Sequence, residues 1–380
     1  MIFWTYFSYV LTAGYFILIA FFFVGLLAII YRTKKSDTIA KSTNLNTFSI
    51  VIAARNEEHF IGKCLTSITN QNFDKTKFEI IVINDHSSDK TLEIVNQFKI
   101  ESRKSGTAFN ISIIDLANFE NINNKKQAIT KGINDAIFDY IVLTDADCVR
   151  GNLWLQSIND FINISASKLI YAPVEFKAKN IFEKLQALEF AGLVGVGAAA
   201  MELKNPNMCS AANLIFEKQV FFEVNGYTDN EHIMTGDDEF LMHKIFKKYP
   251  NQVKFLFDKN AIVETGANGT LAQLTEQRKR WVSKSTKYEN RYITLILVMA
   301  YFYNVSIVLN VFFNFQLAFN QLLFKMFIEG LFLFTMLKFY NKKSFILWLP
   351  IAEIFHIIYV IIIGIWANFA TYKWKERTHH

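Results

Sequence analysis

The 380-residue chain has little cysteine, little proline and little charge. Its three cysteines, Cys64, Cys148 and Cys209, are an odd number, lie far apart and form no C-x-x-C pair. That argues against a disulfide framework or a zinc ribbon and fits a reducing compartment. Four prolines exclude a Pro-rich or collagen-like chain. With 19% charged and 52% hydrophobic residues, disorder is excluded as the main state. No G-x-G-x-x-G follows the first strand-like run and no G-x-x-x-x-G-K-[ST] occurs, so neither a dinucleotide fingerprint nor a P-loop is present. The net charge is +6, yet no arginine-rich face with interleaved aromatics accompanies it, which argues against nucleic acid as a partner. A basic balance on so apolar a chain points to anionic lipid or an anionic substrate.

What the chain has is apolar runs at both ends. Ile2–Ile30 carries no charge, long enough to cross a bilayer. No basic residue precedes it, and it exceeds the roughly 7–15 apolar residues of a signal peptide, so it reads as a retained anchor. Arg32, Lys34 and Lys35 follow and place the next segment in the cytosol. Tyr292–Phe315 carries no charge, Gln316–Leu337 carries only Lys325 and Glu329, and Ser344–Ala370 carries Glu353 and His356. Lys325 and Glu329 share a helix face and are expected to pair, most simply towards other helices. Pro350 suggests that the last segment is broken or re-entrant. Three crossings would also place Lys373, Lys375 and Arg377 outside, against the positive-inside tendency. The expected organisation is an anchor at 1–31, a soluble domain at 36–290, two to three crossings at 292–370 and a tail at 371–380.

The middle region alternates strand-like runs at Thr47–Ala54, Phe78–Asp85, Asn110–Asp115 and Tyr140–Asp145 with helical patterns near Glu57–Gln71, Asp89–Lys104 and Lys125–Ala136. Such alternation predicts an α/β domain on a mostly parallel sheet covered on both faces. Ligands then belong beyond the carboxyl ends of the strands. There stand Ala54-Arg55-Asn56-Glu57, Asn84-Asp85-His86-Ser87-Ser88-Asp89 and Thr144-Asp145-Ala146-Asp147. Ile181–Leu203 is apolar but short and opens with charges, and reads either as an interfacial helix or as a core helix of the domain.

Asp145 and Asp147 point the same way if the backbone is extended, and two adjacent carboxylates call for a cation such as Mg²⁺ or Mn²⁺. Asp85, on the neighbouring strand, is placed to accept from a base or a ribose, while Ser87 or Ser88 caps the next helix. Gly236-Asp237-Asp238-Glu239 opens another helix; acids suit that position, and three in a row exceed what capping needs, so one is a candidate general base. Gln277, Arg280 and Trp281 share one helix face, suited either to a diphosphate and a sugar ring or to anionic lipid beside the membrane. Cys148 reads as a buried structural thiol.

With D-x-D, the Asp-Asp pair and Q-x-x-R-W in this order, residues 47–290 resemble the family 2 glycosyltransferases of GT-A fold, in their membrane-bound branch. The resemblance implies a GT-A domain flanked by N- and C-terminal transmembrane helices. It implies that Ala54, Asn56 and Glu57 border the nucleotide, that Asp85 contacts its base, and that Lys125 and Asp145 also bind the donor. Asp147, with Asp145, is the implied ligand set for Mg²⁺ or Mn²⁺. Asn213, in SAANLIF, is implied beneath the acceptor. Asp238 is the implied base, with Asp237 beside it. Arg280 is implied to hold the diphosphate, and Gln277 and Trp281 to frame the acceptor.

The function this implies is inverting transfer of a sugar from a nucleotide-sugar donor, a UDP-sugar foremost, to a lipid or lipid-linked glycan. The expected setting is the cytosolic face of a bacterial inner membrane. A processive polysaccharide synthase and a catalytically silent scaffold of an envelope-polysaccharide complex stay open beside it.

Overall fold

The computed structural model describes residues 2–36, 44–104, 109–119, 124–228, 236–283, 291–366, 372–374 and 377–379. In chain order the helices are α1 (Ile2–Ser36), α2 (Ile61–Thr69), α3 (Thr91–Lys104), α4 (Lys125–Asp135), α5 (Trp154–Ser165), α6 (Ile181–Glu202), α7 (Lys218–Glu223), α8 (Asp237–Lys248), α9 (Leu271–Ser283), α10 (Arg291–Phe313), α11 (Phe315–Phe339) and α12 (Leu349–Trp366). The strands are β1 (Phe48–Ala54), β2 (Phe78–Asn84), β3 (Asn110–Asp115), β4 (Tyr140–Leu143), β5 (Val149–Arg150), β6 (Leu169–Tyr171), β7 (Val174–Lys177), β8 (Leu214–Glu217), β9 (Val253–Phe255), β10 (Val263–Gly266), β11 (Tyr372–Trp374) and β12 (Arg377–His379). Two compact units emerge: Ala28–Glu175 with Ala200–Gly266, and Met1–Leu27 with Phe176–Ala199 and Ala267–His380.

The first unit is α/β. Its seven-stranded sheet has the order β3-β2-β1-β4-β8-β6-β9. β1, β2, β3 and β4 pair in parallel, β8 runs antiparallel to β4 and β6, and β9 lies parallel to β6. The Ile- and Val-rich β1 and β2 are almost wholly buried, as strands covered on both faces must be. α2 covers the sheet with Ile61, Cys64, Leu65 and Ile68, spaced along one helical stripe. In α4, a Cβ added at Gly132 would stand 2.6 Å from Ile83 and 2.9 Å from Val51, so the helix approaches β1 and β2 through a residue without a side chain. The chain leaves β1 for β2 on one side and returns to β4 on the other. That reversal opens a crevice at the carboxyl ends of β1 and β4.

β4 stops at Leu143, two residues short of the strand expected to reach Asp145. Thr144 N–H still donates to Val51 O (3.3 Å), but Cys148 N–H closes a turn onto Asp145 O (3.2 Å). A turn, not strand alternation, therefore sets the course of Asp145-Ala146-Asp147.

The Asn213 side chain is fully buried. It accepts from Trp154 Nε1 (3.0 Å) and donates to Pro173 O (2.9 Å) and Ala261 O (2.8 Å). It ties α5 to the segments before β7 and β10, leaving no donor for a ligand.

The second unit is helical. Four helical segments, Ile2–Lys35, Ile181–Glu202, Arg291–Phe313 and Lys343–Ile365, are long and apolar enough to cross a membrane. α11 has the length, but Gln316, Asn320, Gln321, Lys325 and Glu329 interrupt its apolar character. Pro350 does not break the last segment: it is the second residue of α12, in the first turn, where a missing N–H costs nothing. Of the segment Ile181–Leu203, open to an interfacial or a core reading, the part up to Ala199 belongs to the helical unit. There Gly192 lies against Leu333, and a Cβ added at Gly195 would meet Met336 at 2.8 Å, so α6 packs closely on α11 through small residues.

Tyr15, Tyr303, Ile307, Ile328 and Ile357 form the heart of this unit. The expected Lys325–Glu329 pair is present (2.6 Å) and gains partners: Lys325 also pairs with Glu353, and Tyr15 Oη donates to Glu329. Further along, Asn310 accepts from Trp4 Nε1 (2.7 Å) and donates to Ser8 Oγ and to Gln321 Oε1 (2.9 Å). Polar groups on helices of this kind need each other, because lipid offers them nothing.

Two outcomes follow. Asn213→Ala strands the Trp154 N–H and two carbonyls in the core; it should destabilise the protein by about 3 kcal/mol, read as a lower apparent Tm in detergent. Lys325→Met leaves Glu329 and Glu353 facing each other without their cation and should cost about 3–5 kcal/mol in the same measurement.

Candidate active site

The crevice is lined first by two interlaced loops. Asn56 and His86, just beyond β1 and β2, both have a positive φ of 54°. Asn tolerates this conformation, whereas for His it is strained. Asn56 N–H donates to Ser87 Oγ (3.2 Å) and Asn56 Oδ1 accepts from Ser88 N–H (2.9 Å). Glu57 N–H donates to Thr91 Oγ1 (2.8 Å), Glu58 N–H to Asp89 Oδ2 (3.0 Å), and Lys90 N–H to Glu58 Oε2 (3.0 Å). Asp89, rather than Ser87 or Ser88, takes the Thr91 N–H that opens α3 (2.9 Å). These bonds hold the Asp89 carboxyl below its usual range, although burial pushes the other way.

Behind this rim, Ala54 is sealed in the core, and its carbonyl accepts from Asp85 N–H (2.8 Å). Asp85 is itself buried, with His86 Nδ1 3.0 Å and Arg55 Nη1 3.9 Å from Oδ1. Asn84, beside it, donates to Asp115 (2.9 Å).

The acidic centre forms from three loops. Asn124 caps α4, accepting from Gln127 N–H (2.9 Å), and so starts the helix at Lys125. The Lys125 ammonium lies 3.1 Å from Asp145 Oδ1 and 3.7 Å from Asp237 Oδ2. Burial alone would lower its pKa; Asp145, Asp237 and Asp238 more than reverse this and hold the amine protonated. Asp147 Oδ2 accepts from Thr265 Oγ1 of β10 (2.8 Å), which orients that carboxylate. Asp145, Asp147 and Cys148 bring possible ligand atoms within 4.8 Å of one another. Burial first, then Asp147 and Asp145, push the Cys148 thiol well up, so it remains a neutral core thiol.

Gly236, with φ of 75°, turns the chain into α8 and puts the acid pair in the helix's first turn. Asp237 is buried, and among the described residues its Oδ2 has no hydrogen-bond partner and faces the Lys125 charge. Asp238 is less buried; its oxygens accept from Ala211 N–H (3.1 Å) and Glu239 N–H (2.9 Å). Tyr171 and Tyr227 are buried beside these acids, and among the described residues their hydroxyls have no hydrogen-bond partner. Burial first raises both phenols well above their ordinary value; Cys209, Asp238 and Glu239 add to this at Tyr171, and Asp237, Asp238 and Cys209 at Tyr227. Thr265 and Tyr171 sit in ordinary apolar or β-type runs and Tyr227 follows the Asn225-Gly226 turn, so none of the three carries a sequence signal.

The structure thus brings Asp85, Lys125, Asp145, Asp147, Asp237 and Asp238 into one unit with Ala54, Asn56 and Glu57. Gln277, Arg280 and Trp281 stand on α9, in the helical unit. There Gln277 accepts from Asn268 Nδ2 (2.9 Å), and Asn268 is also bound to Gln186 of α6. Arg278, almost wholly buried, pairs with Glu189 of α6 (2.7 Å), and its guanidinium stacks 4.3 Å over the Trp281 ring. One face of that indole is therefore covered by a cation.

Comparison with known proteins agrees with this geometry. The sequence model of the family described as glycosyl transferase family 2 matches residues 49–222. A poly-beta-1,6-N-acetyl-D-glucosamine synthase of Staphylococcus epidermidis is 27% identical over 236 residues, covering 61% of this chain and 53% of the relative. Its counterpart in Staphylococcus aureus strain COL is 28% identical over 240 residues, 62% and 54% of the two chains. The chain thus spans about half the length of these curated relatives. Among solved structures, the mannosyltransferase PcManGT from Pyrobaculum calidifontis, in complex with GDP-Man and Mn2+, superposes with a TM-score of 0.51 at 13% identity, covering 93% of this chain and 98% of that one. That likeness concerns the fold. The mostly parallel sheet and its reversal crevice make this a mixed α/β domain of GT-A-like fold, and residues 49–222 are similar to glycosyl transferase family 2.

Proposed function

We propose that the protein is a membrane-anchored, inverting glycosyltransferase that moves a sugar from a nucleotide-sugar donor to a lipid or lipid-linked glycan acceptor. The observation that carries this reading is the meeting of Asp145, of the D-x-D turn, and Asp237, of the acid pair, at Lys125. In this reading the domain faces the cytosol, Arg32, Lys34 and Lys35 fixing the side, and the membrane is a bacterial inner membrane.

Asp85 and the rim at Asn56 and Glu57, backed by Ala54, take the nucleoside. Asp145 and Asp147 offer hard oxygen donors from one tight turn, one of them pre-oriented by Thr265, a donor set that fits Mg²⁺ or Mn²⁺. Bound there, such an ion supplies positive charge against the departing diphosphate. Lys125 balances Asp145 and Asp237 and helps hold the donor's phosphates. Arg280, assigned by its motif, adds charge as the sugar–phosphate bond breaks. Asp238 accepts the proton of the acceptor hydroxyl, which attacks the anomeric carbon from the face opposite the leaving group. Its two backbone hydrogen bonds fix the carboxylate's orientation. Gln277 and Trp281 frame the acceptor.

A second reading, processive synthesis of a polysaccharide, is favoured by the names of the staphylococcal relatives. It makes UDP-N-acetylglucosamine the first donor to try.

The test is release of nucleoside diphosphate by the detergent-purified protein, offered a panel of UDP- and GDP-sugars with native lipids. Release from one donor, abolished by EDTA, is expected. Asp238→Asn should retain donor binding and lose about 10²–10⁴-fold in turnover. An Asp238→Asn protein with near wild-type rate would sink the assignment of the base, and no release from any donor would favour the silent-scaffold reading. Product length separates the two active readings: one added sugar on a lipid, or a ladder of polymer.

A further inference from the structure

α1 and α6, two of the four helices with the length and hydropathy of membrane spans, have their C-terminal ends in the α/β unit, and these ends meet. Arg32 of α1 pairs through Nε with Glu202 Oε2 of α6 (3.2 Å) and donates from Nη2 to Phe255 O of β9 (3.0 Å). This clamp draws two lysines into the same corner. Lys204 stands in the turn that ends α6, held by its φ of 60° and by the bond from Asn205 N–H to Ala200 O (2.8 Å). Lys254 precedes Phe255 on β9, is partly buried, and turns its ammonium towards that of Lys204. Lys34 and Lys35 complete the last turn of α1.

Among the described residues, charge does not balance in this corner. Glu202 is the carboxylate that faces the lysines among the described residues, and Arg32 already holds it. Burial, then the facing Lys204, push Lys254 down to about 8; Arg32 adds to this and Glu202 opposes it. Lys204 is exposed and Lys254 partly out of water, and two like charges that face each other so are an unfavourable arrangement that an anion between them relieves. Chain position names the anion's source: apolar helices that give way to charge do so at the depth of lipid headgroups.

We propose that the corner formed by Arg32, Lys204 and Lys254 is a phosphate-binding site whose occupant is the headgroup phosphate of an anionic phospholipid. Arg32 is fixed by Glu202 and the Phe255 carbonyl, so it supplies the frame. Lys204 and Lys254 supply flexible point charges, which suit a phosphate of variable approach. The site is separate from the acidic centre and does not depend on the reaction proposed for it.

The test uses the full chain in nanodiscs of phosphatidylcholine alone or with phosphatidylglycerol. The readout is acylation of Lys254 by an amine-reactive reagent at about pH 8, mapped by peptide mass spectrometry, with exposed Lys63 as internal reference. An amine titrating near 8 is about half neutral there, whereas an ordinary lysine is less than about 1% neutral. Phosphatidylglycerol should therefore slow Lys254 labelling about tenfold or more while leaving Lys63 unchanged. Lys204→Gln removes the facing charge and should itself slow Lys254 in phosphatidylcholine and shrink the lipid effect. Equal slowing by inorganic phosphate in phosphatidylcholine discs would overturn the lipid as occupant. Identical labelling in both disc types, with phosphate also without effect, would overturn the site.

Discussion

One ammonium carries the acidic centre. Without Lys125, the D-x-D turn and the acid pair would bring carboxylates together in a partly buried crevice, and like charges there repel strongly. Lys125 stands where three separate local devices put it: an Asn cap that starts α4, a helix packed on the sheet through Gly132, and a β4 that stops early. Each device is a matter of backbone, so the position of the charge is set by the fold rather than by the flexibility of a long side chain.

The helical unit solves the converse problem. Its polar groups sit among apolar helices and are joined in shared clusters: Lys325 between Glu329 and Glu353, and Asn310 between Trp4, Ser8 and Gln321. Buried ion pairs of this kind add little net stability over a well-packed apolar core, yet losing one partner is costly. They fix which helices face one another. Arg278 does the same for α9, where its charge is divided between Glu189 and the face of Trp281.

The strands β1 to β4 were legible because continuous Ile and Val runs ending in polar clusters have few other uses. The acidic residues were legible because they lie at those ends. Asn213 was not: a motif position carries no label saying whether an amide points to a ligand or into the core, and only the Trp154, Pro173 and Ala261 contacts decide it. Pro350 misled because its cost depends on its place within a helix, and a helix start has no strong signal in an unbroken apolar run. Thr265, Tyr171 and Tyr227 reach the acids from distant parts of the chain, and no local pattern announces such encounters.

The rungs between the loop after β1 and the loop after β2 have a consequence for binding. Backbone and side-chain bonds run both ways between Asn56–Glu58 and Ser87–Thr91, so the two loops form one lip rather than two strips of chain. A ligand arriving there does not have to freeze a mobile segment, and the entropy of ordering it has already been lost in folding. Selection at this edge of the crevice therefore falls to the shape and hydrogen-bonding pattern of the incoming molecule.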